Sequence, residues 1–161
     1  MRDGGLAVAA FTYLWTNDCR VARLDREGEP LTCIAGSLFT ARGVGPGDTV
    51  YVIAVHDRQV FLIGRLVVER VWDRPAWDAH PDRPPLWEGA EVIEGDGTPM
   101  RLTRTVPAHV LRQLGLVDAR GREKPLTVTA GMVDSPQSLR NIRRLSAGSA
   151  ELLDGVLDVG S

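Results

Sequence analysis

Residues 43–71, GVGPGDTVYVIAVHDRQVFLIGRLVVERV, carry the densest strand signal in the chain. Gly45-Pro46-Gly47-Asp48 marks a tight turn, because Gly and Pro punctuate regular structure. Behind it, residues 49–56 and 60–72 read as the arms of a hairpin with Asp57, Arg58 and Gln59 at its tip. The first arm is apolar at every position from Val50 to Val55, so it has no solvent face and belongs in the middle of a sheet or barrel. The second arm alternates, with Val60, Leu62, Gly64, Leu66 and Val68 on one side and Arg65 and Glu69 on the other. A glycine weakens a strand interior unless the strand bends there, so Gly64 marks a bulge or a sharp bend, as a small barrel needs to curl.

Outward from this hairpin the signals are shorter. Residues 6–15 read as a strand ending in Phe11-Thr12-Tyr13-Leu14-Trp15, followed by Thr16, Asn17 and Asp18, residues that favour turns and caps. Leu31, Ile34, Ala35, Leu38 and Phe39 fall at helical offsets, which predicts a helix over residues 31–41 with Gly43 as its stop. Residues 73–89 form a loop rich in Pro and Trp. Short strands are expected at 90–93, 100–106 and 126–130, and Pro107 opens a short helix that Gly115 ends. Residues 135–158 read as a helical C-terminal segment, with one helix beginning at Ser135-Pro136 and carrying Leu139 and Ile142, and a last one capped at Ser146 and carrying Leu152, Leu153 and Val156. With no repeat and no linker, residues 1–161 form a single α+β domain with a curled, mostly antiparallel barrel and flanking helices.

Composition narrows the function classes. Hydrophobic residues make up 43% and charged residues 25% of the chain, which fits a globular protein and rules out a disordered or fibrous one. The net charge of −2 argues against coating nucleic acid through bulk electrostatics, while leaving room for a local basic face. Of the 19 basic residues only Lys124 is not Arg, so the surface carries planar forks suited to phosphates and base edges. Cys19 and Cys33 have no metal-like spacing, and two cysteines are too few for a disulfide scaffold, which points to the cytoplasm. No apolar run reaches membrane-spanning length. His56, His80 and His109 are scattered, and phosphate-loop, dinucleotide-loop and nucleophile-elbow motifs are missing. The expectation is a non-enzymatic domain with no metal and no cofactor.

Three features point to binding. Tyr13 and Trp15 share a strand face, and Asn17 and Asp18 follow at its end. A pocket for a planar heterocycle needs rings to stack on and hydrogen-bonding groups in the plane of its edge, and a carboxylate accepts from an exocyclic amine such as that of cytosine. The same residues read equally well as a core Trp followed by a turn. Ser37 and Phe39, in the segment after, either close the other wall or belong to the core. Arg140, Arg143 and Arg144 lie at helical offsets and form a basic patch, and Arg58 sits on the hairpin tip, where a side chain can enter a duplex. Trp72, Trp77 and Trp87 either pin the Pro-rich loop or offer a stacking surface, pinning being favoured because Trp is usually largely buried.

The run over residues 43–71 resembles the central part of PUA-like domains, the superfamily of the EVE, ASCH and SRA branches. The resemblance rests on Gly47-Asp48 entering a strand, on the arm from Val60 to Val71, and on the aromatic strand from Tyr13 to Trp15. It covers the first half of the chain, and its motifs are structural. The G-x-K-x-x-T-x-R pattern of ASCH domains is missing. The stretch TRTVPAHVLRQLGL is similar to the strand-Pro-helix of AbrB-type transcription factors, as one fragment only. The PUA-like resemblance implies a reader of a modified base, with 5-methylcytosine in double-stranded DNA named first, extruded into a pocket lined by Tyr13, Trp15, Asn17, Asp18, Ser37 and Phe39. Contacts to the duplex would come from Arg20, Arg58, Gln59, Arg140, Arg143 and Arg144. The rival readings are a protein-interaction or small-ligand module on the same barrel, and an enzyme acting on a nucleobase.

Overall fold

A computed structural model describes residues 8–80 and 89–159. In chain order its elements are β1 (Ala10–Trp15), α1 (Asn17–Val21), β2 (Cys33–Gly36), β3 (Thr49–His56), β4 (Gln59–Asp73), α2 (Arg74–Asp78), β5 (Glu91–Gly97) and α3 (Ala108–Leu111). There follow β6 (Gly115–Val117), β7 (Glu123–Pro125), β8 (Val128–Thr129), β9 (Met132–Val133), β10 (Ile142–Leu145) and α4 (Ala147–Val159). Eight strands form one sheet in the order β2-β5-β4-β3-β1-β10-β6-β7, and β8 pairs with β9 apart from it. The β1–β3 ladder is parallel and the others are antiparallel. The chain is therefore mixed α and β around a large, mostly antiparallel sheet. Among the described residues no ladder joins the outer strands β2 and β7.

The turn before β3 explains how β1 is brought alongside. Asp48 is fully buried, and its carboxylate accepts from Ala9 N at 3.0 Å and from Gly45 N at 2.9 Å. Gly47 has φ +91°, a conformation open to a residue without Cβ. A charged side chain buried this deeply persists because backbone donors satisfy it. The Gly-Asp pair thus fastens the start of the first strand to the start of the third.

The β3–β4 hairpin turns on Asp57 and Arg58 alone, with φ of 50° and 64°, while His56 and Gln59 pair across it. Two left-handed residues match the right-handed twist of the flanking strands. Gln59 is therefore the first residue of β4 and not part of the tip. The expected bulge is present: Val52 pairs with Gly64 and Ile53 with Leu62, so Ile63 is the extra residue. One inserted residue moves everything beyond it to the opposite face. Val60 and Leu62 accordingly pack in one core, whereas Leu66 and Val68 pack in the other, which corrects the single alternating face expected for this arm. Arg104 collects the carbonyls at the bulge, its Nε donating to Leu62 O at 3.0 Å and its Nη2 to Ile63 O at 3.3 Å.

The sheet has a core on each side. One is built from Phe11, Trp15, Val50, Val52, Leu66 and Ile93 with Ile34 of β2 and Ile142 of β10, so six strands contribute to it. The other places Tyr51, Ile53, Leu62 and Leu145 against Val110 and Leu111 of α3 and Leu153, Val156 and Leu157 of α4. β3 is apolar on both faces because it lies between these two layers. Tyr51 ties the second layer together: its hydroxyl donates to Asp154 Oδ1 of α4 at 2.6 Å, and Arg65 Nη1 donates to the same oxygen at 2.6 Å. Within α4, Gly155 is exposed, and a Cβ added there would meet nothing within 4 Å. A glycine in a helix interior costs about 1 kcal/mol relative to alanine.

Two expected helices are corrected. Residues 31–41 contain β2, paired antiparallel with β5 from Cys33↔Glu94 to Gly36↔Glu91, followed by a turn. Leu38 there has φ 70°, which no right-handed helix accommodates. Of the two helices expected in 135–158, the one opening at Ser135-Pro136 is a 3-10 turn (Pro136–Leu139) followed by β10, whereas the one after Ser146 is α4. Asn141, at φ 59°, breaks the helical path, and β10 pairs with β1. Residues 100–106 make one isolated bridge, Phe61↔Thr105, in place of a strand. The loop expected over 73–89 opens with α2, and its residues 81–88 lie outside those described.

Candidate functional site

Phe11, Tyr13 and Trp15 point to the same side of β1. Phe11 and Trp15 are buried at 2% and 6% exposure, whereas Tyr13 is half-buried. Its hydroxyl donates to Ala35 O of β2 at 3.2 Å, and its ring lies 5.2 Å from that of Phe39 at an interplanar angle of 59°. Burial raises its pKa, and Cys19 adds to the rise. The close approach depends on glycine. A Cβ on Gly36 would sit 2.6 Å from Phe39 Cζ and 2.7 Å from the Tyr13 oxygen, and one on Gly89 would sit 2.5 Å from Gly36 N.

The turn beside this ring pair is held from β5. Glu91 Oε1 accepts from Phe39 N at 2.9 Å and from Thr40 N at 3.3 Å, and its other oxygen accepts from the Thr40 hydroxyl. Phe39 is fully buried and forms the wall behind Tyr13, while Ser37 is exposed. On the far side, Thr16 caps α1, its Oγ1 accepting from Cys19 N at 3.1 Å. Asp18 is exposed in the first turn of α1 and Asn17 is half-buried. Burial pushes the Cys19 thiol up to about 11.

Several residues expected in the pocket or on the duplex have other duties. Trp15 packs in the core, and the Arg23 guanidinium lies 4.7 Å from its ring centre. Arg20 is 7% exposed and cannot serve as a surface contact. It donates to Leu102 O at 2.9 Å, binds Asn17 Oδ1 through two nitrogens and sits 4.2 Å over the Phe61 ring. Arg140, Arg143 and Arg144 do not share a helix face. Arg143 and Arg144 alternate across β10, opposite Thr12 and Phe11 of β1. Arg140 and Arg144 are exposed, and Arg143 is half-buried with its Nη2 on Gln137 O at 3.5 Å. Arg58 is tied to the β8–β9 hairpin, its Nε donating to Val133 O at 3.0 Å and its Nη2 to Asp134 Oδ1 at 3.1 Å. Gln59 is exposed beside it.

The Trp residues divide. Trp77, at 2% exposure, pins α2 to the sheet, and burying such a ring contributes about 3 kcal/mol. Trp72 belongs to β4, meets Trp77 edge-on at 6.0 Å and donates its Nε1 to Glu94 Oε1 at 3.0 Å. Trp87 lies outside the described residues. Gly36, Arg23 and Glu91 are the residues of this region that sequence reasoning passed over. A lone glycine inside an apolar run was the available signal for Gly36, since it marks close approach in a strand.

Among the described residues no group of three or more His, Cys, Asp and Glu side chains is placed to hold a metal ion. No described helix is long and apolar enough to cross a membrane. No protein-family model matches the chain, and no curated protein matches it.

Proposed function

We propose that this chain is a non-catalytic, PUA-like nucleic-acid-binding domain that reads a modified base, 5-methylcytosine in double-stranded DNA, by extruding it. The observation that carries this reading is that the Tyr13 ring is only partly buried on an otherwise buried strand face. Ser37, two residues before Phe39, and Asp18, in the first turn of the helix that follows the strand, are both exposed. An extruded cytosine needs a ring to stack on and an acceptor for its amine, and Tyr13 and Asp18 supply that pair. The core to which six strands contribute supports a curled, barrel-like sheet behind the site. Arg140, Arg144 and Gln59 are the exposed candidates for duplex contacts, with Arg58 held beside Gln59 at the hairpin tip.

The test compares labelled duplexes with and without one 5-methylcytosine. Burial of a single methyl group predicts about a fourfold preference for the methylated duplex. Asp18→Ala should weaken binding of both about tenfold, since a base-edge acceptor contributes on the order of 1–3 kcal/mol. Equal affinity for the two duplexes, or an Asp18→Ala variant that binds like the parent, rejects the reading.

A further inference from the structure

On the opposite side of the sheet, α3 and α4 frame a cleft of about 480 Å³. We infer that this cleft binds a small amphiphilic organic acid, its apolar body over Val110, Leu152 and Val156 and its carboxylate beside Arg104. The volume lies within the range of small-molecule sites, which are apolar with a few placed polar groups. Val110 and Val156 belong to the helical-side core and form an apolar floor.

Arg104 is the fixed charge of the cleft. Its Nε and Nη2 are anchored on the bulge carbonyls of β4, and the described residues give its Nη1 no hydrogen bond. Burial, with a smaller push from Arg101, disfavours its charge, and the Glu27 carboxylate offsets part of this. Glu151 on the α4 lip and His109 on α3 are both exposed, where water screens them.

Gly155 leaves room in the cleft. It lines the cleft, yet no atom of the chain lies where its side chain would be. Gly148 in the first turn of the same helix is equally open, so what Gly155 contributes is an unfilled stretch of the α4 wall inside the cleft. The occupant is compact. The α3 wall has four residues, about 6 Å of helix, too short to cradle a partner helix of several turns.

The experiment titrates 4-phenylbutyrate into the ¹⁵N-labelled chain, with 4-phenylbutanol and 4-phenylbutylamine as neutral and cationic counterparts. Saturable amide shifts centred on Val110, Leu152 and Gly155 are expected with the acid, at least about tenfold tighter than with the alcohol or amine. Gly155→Leu, which fills the cleft without touching the core, should abolish the acid response while keeping the folded spectrum. Equal response to all three probes, no response to about 10 mM acid, or an unchanged response in Gly155→Leu overturns the inference. Shifts of the same amides on protein dilution alone would assign the cleft to a second copy of the chain and overturn it too. None of these outcomes bears on the duplex assay, which reads the other side of the sheet.

Discussion

The side-chain oxygen of Asn17 is held by Arg20 through two hydrogen bonds, Nε at 3.1 Å and Nη2 at 2.9 Å. This clamp occupies the acceptor that an edge-reading role for Asn17 needs, and it orients a buried guanidinium toward Leu102 O and the Phe61 ring. Arg20→Met should lower unfolding free energy by about 2–3 kcal/mol in urea melts, because hydrogen bonds to a buried charge are among the stronger ones. Asn17→Ala should lower it by about 1–2 kcal/mol, and the double variant by less than the sum. Additive losses would show that the two residues act independently.

Asp48 carries more of the fold than its exposed look in the sequence implies. Its carboxylate holds Ala9 N and Gly45 N inside the structure. Asp48→Ala strands these donors and should cost about 3 kcal/mol by urea denaturation, with Asp48→Asn losing less because one acceptor survives. A melt unchanged from the parent in Asp48→Ala would remove Asp48 from the β1–β3 junction.

Two glycines should respond in opposite directions to the same change. At Gly97 a Cβ would lie 1.7 Å from the Leu31 carbonyl oxygen, so Gly97→Ala should destabilise by more than about 3 kcal/mol or prevent folding. At Gly155 a Cβ meets open space, and Gly155→Ala should stabilise by about 1 kcal/mol. Thermal melts of the two variants against the parent decide both claims.

Alkaline titration should separate folding from ionisation. Burial raises the pKa of both Tyr13 and Tyr51 above the usual value near 10, and the Tyr51 bond to Asp154 adds to it. Above that pH the unfolded chain releases phenolic protons that the folded chain keeps, so stability holds up to about pH 10 and falls beyond it. Tyrosinate absorbance should therefore appear late and together with unfolding. Tyr51→Phe should flatten part of that decline. Full ionisation near pH 10 in a still-folded sample would contradict the burial of these rings.

The β3–β4 hairpin was legible because every local signal agreed: the Gly-Pro-Gly-Asp turn, the β-branched arms and the misfit Gly64. The segment around Ile34 was not. Leu31, Ile34, Ala35 and Leu38 satisfy a helical period, yet only four residues of β2 separate two turns, too few for either period to dominate. What settles that segment is distant: the β5 ladder and the Glu91 carboxylate that caps the turn at Phe39 and Thr40. Arg140, Arg143 and Arg144 failed for the same reason, since pairing with β1 overrode their helical spacing. Of the residues expected in the pocket, Asp18 and Ser37 are exposed and Tyr13 is partly buried, whereas the arrest of Arg20 and Trp15 in the interior depends on Leu102, Phe61 and Arg23, partners no local pattern announces.

The central place of β1, between β3 and β10, also sets a schedule for synthesis. As the nascent chain leaves the ribosome, β1 can dock on β3 early, but its other edge waits until residues 142–145 emerge. An open edge of this kind invites pairing with neighbouring chains. Premature termination before β10 should therefore yield a sticky, insoluble product even though most of the hairpin sheet has already been translated.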